Sequence, residues 1–147
     1  MDIKSVLEEI QPLDTETMEK AVKRLNSLTK PIGSLGVLEN LAVQLAGITG
    51  DVIPTVRNKT VIVMAGDHGV VEEGVSAAPQ SVTPQMVYNF LQGGAGINVL
   101  ARLAGAEVKV VDVGVADPTL QDPNLISRKV RLGTVNMTKG AAMTRQE

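Results

Sequence analysis

The sequence predicts an α/β fold built on a parallel sheet, and three observations carry that expectation. Residues 60–66 (TVIVMAG) are continuously apolar and β-branched, as suits a strand buried on both faces of a parallel sheet. Residues 107–114 (EVKVVDVG) form a second such run, ending in a similar Asp/Gly manner. Between them lies a stretch with helical spacing. Strand, helical crossover and strand make a βαβ unit, whose crossover is almost always right-handed.

Each element has its own signals. Met18, Val22, Leu25 and Leu28 recur at spacings of four and three, one apolar helical face that Asp14 or Thr15 caps and Pro31 ends. Ser34 reads as the N-cap of a second helix, with Leu35, Leu38, Leu41, Ala42 and Leu45 on one side and Gly47 and Gly50 closing it. Two helices thus precede any strand. In the crossover, Thr83 is the expected N-cap and Pro84 the first helical residue, where a missing N–H costs nothing. Val87, Phe90 and Leu91 follow. Gly93, Gly94 and Gly96 break the helix, and Ile97, Leu100, Ala101 and Ala104 resume it up to Gly105. A third strand is expected over 126–132, charged on both sides and therefore near an edge. Thr144 and Glu147 have the spacing of a capping box, which announces a helix just where the chain stops. Two firm strands make a poor sheet alone. The chain therefore reads as truncated, with a frayed polar tail as the equal alternative.

Composition narrows the function classes. In 147 residues, 14 Lys and Arg stand against 16 Asp and Glu, a net charge of −2, without the basic excess of a nucleic-acid binder. Tyr88 and Phe90 are the sole aromatics, too few for base-stacking platforms. There is no cysteine, which excludes disulfides, zinc knuckles and thiol nucleophiles. No apolar run approaches the roughly 20 residues of a membrane helix, and residues 1–13 lack the apolar core of a signal peptide. A soluble, cytoplasmic protein with neither nucleic-acid nor membrane partner is expected.

The chemistry is expected at the carboxyl end of the first strand, where open α/β sheets bind ligands. There residues 66–82 form a loop longer than the usual βα connection, carrying Asp67, His68, Glu72, Glu73, Pro79 and Ser81. His68 is the only histidine, so no metal set is formed around it, and none is expected. Ser76 and Ser81 do not sit on the strand-turn-helix elbow of serine hydrolases. On the residues alone, Asp67 and His68 read more readily as groups that hydrogen-bond backbone and fix the loop than as catalysts. Residues 93–96 (GGAG) lie within the crossover and are no dinucleotide fingerprint. Residues 33–36 (GSLG), opening a helix beside Lys30, are the better anion cradle. Glu16–Lys20 and Glu19–Lys23 mark a solvated helix face. Val82, Met86 and Phe90 read first as core.

Taken in order, several blocks resemble the nicotinate-nucleotide–dimethylbenzimidazole phosphoribosyltransferases. They are residues 30–39 (KPIGSLGVLE), 65–70 (AGDHGV) with 73–75 (EGV), 79–90, 105–114, 133–137 (GTVNM) and 142–145 (AMTR). The resemblance runs from about Leu28 to the end of the chain and covers the N-terminal portion of the family pattern. It implies a Rossmann-like sheet with helices on both faces, with residues 1–50 the helical part of a small domain and 51–147 the first, incomplete part of the large one. It implies a homodimer, no cofactor, and transfer of phosphoribose from nicotinate mononucleotide to a lower-ligand base of cobamides, such as 5,6-dimethylbenzimidazole. By match to the family pattern, the base pocket would include Ala78, Pro79, Ser81, Val82 and Met86, reversing the core reading of the last two, with Asp67 and His68 facing or bracing the cleft. The general-base glutamate would lie beyond Glu147, so no catalytic residue falls in this chain, which alone would be inactive. Some family members carry serine and glutamine where this chain has Ala78 and Met86. That departure points to a base selected by shape, phenolic bases included. A non-catalytic module binding a small aromatic, or one half of a split enzyme, is the alternative.

Overall fold

Helix α1 spans Ile3–Glu9, α2 Thr15–Ser27 and α3 Val37–Thr49; after them come β1 (Lys59–Gly66), a 3-10 turn (Gly69–Glu73), α4 (Val82–Leu91), α5 (Gly96–Ala104), β2 (Ala106–Gly114) and β3 (Leu125–Ser127). This computed structural model describes residues 2–147. The chain divides into two compact units between Arg57 and Asn58.

The first unit is helical. Helix α2 begins as its sequence predicts: the Asp14 carboxylate accepts from Thr17 N at 3.0 Å and from Thr17 Oγ1 at 2.7 Å. Small residues let α2 and α3 approach closely, with Ala21, Ala46 and Thr17 all buried. A Cβ on Gly47 would stand 2.6 Å from Met18 Cγ, so a larger residue at that crossing would force the Met18 side chain to move. Two expectations are corrected here. Helix α3 starts at Val37 behind Gly36, not at a Ser34 cap, because residues 33–36 form a turn with Gly33 and Gly36 at positive φ. Helix α1 is an addition; it buries no residue, and its short amphipathic run carries no strong periodic signal.

The second unit is the α/β part. Strands β1 and β2 pair in parallel from Lys59↔Ala106 to Ala65↔Asp112, and β3 pairs in parallel with β2, giving the order β1-β2-β3. The register slips after Ala65, so that Gly66 meets Gly114 and one extra residue bulges β2 at its carboxyl end. The core lies on one face of this sheet, where Ala65, Val87, Val110, Val115 and Leu120 pack with Phe90, Leu91, Val108 and Leu125. Ile62 and Met64, on the alternate side of β1, are 58% and 67% exposed. Burying Val87 completely against the sheet stabilises the crossover by about 1.5–3 kcal/mol.

The break between α4 and α5 falls at 92–95, as the glycines predict, with Gly93 at φ +78°. Buried Asn98 stitches it: Nδ2 donates to Phe90 O at 3.0 Å while Oδ1 accepts from Ala95 N at 3.2 Å. Helix α4 starts earlier than expected, at Val82 and not Pro84, because Thr83 turns its hydroxyl to Asp67 and does not cap. The expected strand over 126–132 is regular only through Ser127. Beyond it Arg128 N and Val130 N still donate to Asp112 O and Val113 O, but Lys129 reaches inward and interrupts the alternation. The capping-box bonds of Thr144 and Glu147 form reciprocally at 2.8 and 3.2 Å. Among the described residues no helix is long and apolar enough to cross a membrane.

Candidate functional site

Strand β1 delivers Gly66, Asp67 and His68 to the carboxyl edge of the sheet, the edge where parallel α/β sheets bind ligands. The chain then makes the 3-10 turn, runs through 74–81 and enters α4. These segments enclose a cleft of about 740 Å³, within the range of small-molecule sites. Its walls are mostly apolar, with Val71, Ala78, Pro79, Val82, Met86, Phe90 and Met137 among them, and Asp67 and His68 at one end.

Asp67 organises that end. Its carboxylate is buried; Oδ1 accepts from Thr83 Oγ1 at 2.6 Å and Oδ2 from Ala116 N at 2.7 Å. Its own N–H donates to Gly114 O at 3.0 Å, and its carbonyl accepts from Thr134 N at 2.9 Å. One residue therefore ties β1, the loop after β2, the first turn of α4 and the 133–138 segment together. Through its two side-chain bonds the carboxylate holds the first turn of α4 and the loop after β2 in place.

A second buried carboxylate supports the same edge. Asp112 Oδ1 accepts from Gly114 N and Val115 N at 3.0 and 2.9 Å, and Oδ2 pairs with Lys129 Nζ at 3.1 Å. Lys129 also donates to Val115 O and Asp117 O. It thereby fixes the 115–117 turn that presents Ala116 N to Asp67.

The structure brings Asp67, His68, Ala78, Pro79, Val82 and Met86 into one cleft. Ser81 stands apart from them, in an adjoining recess lined with Asp67, Pro84, Ala116 and Asp117. It is the residue immediately before α4. His68 is exposed, and among the described residues its ring has no hydrogen-bond partner, unlike the backbone-bracing role expected of it. Of these two residues it is Asp67 that hydrogen-bonds the surrounding segments.

The expected anion cradle at 33–36 is filled by the chain itself. Glu39 Oε1 accepts from Lys30 Nζ at 2.7 Å and from Leu35 N at 3.1 Å. Lys30, and then the Leu35 N–H, hold the Glu39 carboxyl below its ordinary range. Both side chains are largely covered, so this cradle serves the turn into α3.

Two residues to which the sequence assigns no role at the site belong to it. Asn136, 4% exposed, donates to Glu73 Oε1 at 2.6 Å and Glu72 Oε2 at 3.3 Å, and Met137 beside it lines the cleft. No periodicity marks either. Among the described residues no three His, Asp or Glu side chains converge as a metal set.

A family model described as "Phosphoribosyltransferase" matches residues 10–147. The chain belongs to that phosphoribosyltransferase family. It is 52% identical to the nicotinate-nucleotide–dimethylbenzimidazole phosphoribosyltransferase of Clostridium acetobutylicum across its full length, covering 42% of that protein. It is 58% identical to the Geobacter sulfurreducens protein of the same name, over 96% of this chain and 40% of that one. Among solved structures, the phosphoribosyltransferase of that name from Thermus thermophilus superimposes with a TM-score of 0.84 at 50% identity, over 91% of this chain and 41% of the other. The chain thus spans about two fifths of the length of the phosphoribosyltransferases it matches. The α/β fold with its parallel sheet, expected from the sequence, is that of this family.

Proposed function

We propose that these residues form the base-binding wall of an enzyme that moves phosphoribose from nicotinate mononucleotide to 5,6-dimethylbenzimidazole or a similar flat base, yielding α-ribazole 5′-phosphate and nicotinate. The observation that carries the reading is the apolar cleft at the end of β1, large enough to admit a bicyclic aromatic and lined by Ala78, Pro79, Val82 and Met86. Homology supports it, since the named relatives act on that pair of substrates by their names. Ser81 would act at the rim, from the adjoining recess.

The chemistry follows from the bonds. A lone pair on the incoming base nitrogen forms the new bond to the anomeric carbon. The bond to the pyridinium nitrogen breaks, and its electron pair neutralises that nitrogen as nicotinate leaves. Holding the two reactants in line provides much of the rate, worth up to about 7–11 kcal/mol in well-oriented reactions. The base must also lose its N–H proton to a carboxylate. Among the described residues Asp67 is the one carboxylate lining the cleft, and its two oxygens are tied to Thr83 and Ala116 as a brace, so we assign the proton acceptor to residues outside 1–147.

In this reading residues 1–50 belong to a small helical domain and 51–147 to the first part of a large Rossmann-like one, in a cytoplasmic homodimer that needs no cofactor. The deciding experiment incubates the intact protein with nicotinate mononucleotide and 5,6-dimethylbenzimidazole and follows α-ribazole phosphate by mass. Formation at enzymatic rates is expected. Saturable binding of the base without turnover would favour a non-catalytic aromatic-binding module.

A further inference from the structure

Three of the chain's six methionines, Met64, Met86 and Met137, line the cleft. Met137 is the one that arrives from far along the chain, and its place is fixed on both sides. Before it, Thr134 N donates to Asp67 O at 2.9 Å, and Gly69 N donates to Thr134 Oγ1 at 3.2 Å. The fit is close: a Cβ on Gly69 would lie 2.6 Å from both Thr134 O and Asn136 N. Buried Asn136 then donates to Glu73 and Glu72, while its Oδ1 accepts from Thr138 N at 3.1 Å and Thr138 Oγ1 at 2.8 Å. Thr138 Oγ1 also reaches Glu73 Oε1 at 3.1 Å, and Lys139 Nζ reaches Glu72 Oε2 at 2.6 Å.

The backbone around Met137 is therefore clamped to the loop that floors the cleft, while the residue itself stays 59% exposed. An exposed thioether on a rigid backbone, at the wall of an apolar cleft, gains by being covered with a flat aromatic ring. Thioethers adapt to such rings and make favourable sulfur–aromatic contacts.

We infer that Met137 is a second methionine wall of the base site, contributed independently of α4, and that Asn136 is the positioning residue that holds it there. The inference rests on the base-site reading above. Met86 sets the shape of the site from the helix, and Met137 sets it from the 133–138 segment, a strap across the loop. Bases that fill the gap between these two segments are the ones selected.

The test uses the intact protein with 5,6-dimethylbenzimidazole and a phenol as alternative acceptors, and compares Met137→Ala, Met137→Leu, Met86→Ala and Asn136→Asp. Met137→Ala is expected to raise the KM for dimethylbenzimidazole about tenfold, the scale of a lost apolar contact in a pocket. The KM for nicotinate mononucleotide should stay unchanged, and Met137→Leu should restore most of the loss. Asn136→Asp sets a third carboxylate against Glu72 and Glu73 and should show the same split between substrates. A base KM unchanged in Met137→Ala but raised in Met86→Ala overturns the inference and leaves the cleft reading standing. If neither variant moves the base KM, the cleft reading falls and takes the inference with it. Equal rises for both substrates in Met137→Ala or Asn136→Asp overturn the assignment in favour of a purely structural strap.

Discussion

Thr83 donates its hydroxyl proton to Asp67 at 2.6 Å, joining the end of β1 to the first turn of α4. The bond sets where α4 begins, and α4 carries Val82 and Met86 into the cleft. Asp67→Ala removes this acceptor and that of Ala116 N together, leaving two partly buried donors unpaired. We expect a loss of about 3 kcal/mol for Asp67→Ala and about 1 kcal/mol for Thr83→Val, by equilibrium denaturation. Equal losses in the two variants would show that the Ala116 bond contributes nothing.

The crossing of Gly69 by the 134–136 backbone predicts a steric failure. Gly69→Ala puts a methyl 2.6 Å from two backbone atoms that cannot turn aside. Overpacking of this kind costs about 1–3 kcal/mol. Thermal melting should show it, and increased hydrogen exchange at 134–138 should locate it. A variant that melts with the wild type would mean that the strap is not held against the turn.

Lys129 and Asp112 predict a coupled pair. Lys129→Met leaves the buried Asp112 carboxylate without its cation, a change that costs about 3 kcal/mol at such sites. The two backbone N–H donors remain, so Asp112→Asn in the Lys129→Met background should lose much less than the two single changes added. A strictly additive double-mutant cycle is the contrary result.

The strap has a pH dependence with a definite sign. Lys139, and then Asn136, hold the Glu72 carboxyl below its ordinary value of 4.5. A depressed folded pKa means that the contribution is fully present above the unfolded value and disappears as pH falls through the folded one. Melting temperature should therefore drop on acidification below about pH 4.5 more steeply in the wild type than in Lys139→Met. Parallel curves for the two proteins count against the pair.

Met86→Gln introduces a hydrogen-bonding amide into an otherwise apolar wall. Competition between dimethylbenzimidazole and a phenol should shift by about tenfold, since an amide in the wall discriminates between bases by whether their polar atoms can pair with it. An unchanged ratio would overturn the reading that the apolar lining at Met86 selects the base by shape.

Local chemistry was legible in the sequence wherever one segment decides its own fate. The β-branched run 60–66 forms a strand with few alternatives, Asp14 caps α2 through its own neighbours, and Gly93 ends α4 through a positive φ. The βαβ order and the cleft at the end of β1 follow from such runs and from the handedness of crossovers. What the sequence could not decide is which partner a polar side chain takes when several are within reach. Thr83 has a suitable N-cap spacing but finds the Asp67 carboxylate, and the Lys30 cradle finds Glu39 before any external anion. Lys129 leaves a strand pattern because buried Asp112 offers it a stronger partner than solvent. Asn136 and Met137 enter the site only because the 133–138 segment folds back across Gly69, which lies 65 positions before Thr134 in the chain. Local periodicity holds no record of such contacts: they arise when desolvated groups, brought together by the sheet, must be paired.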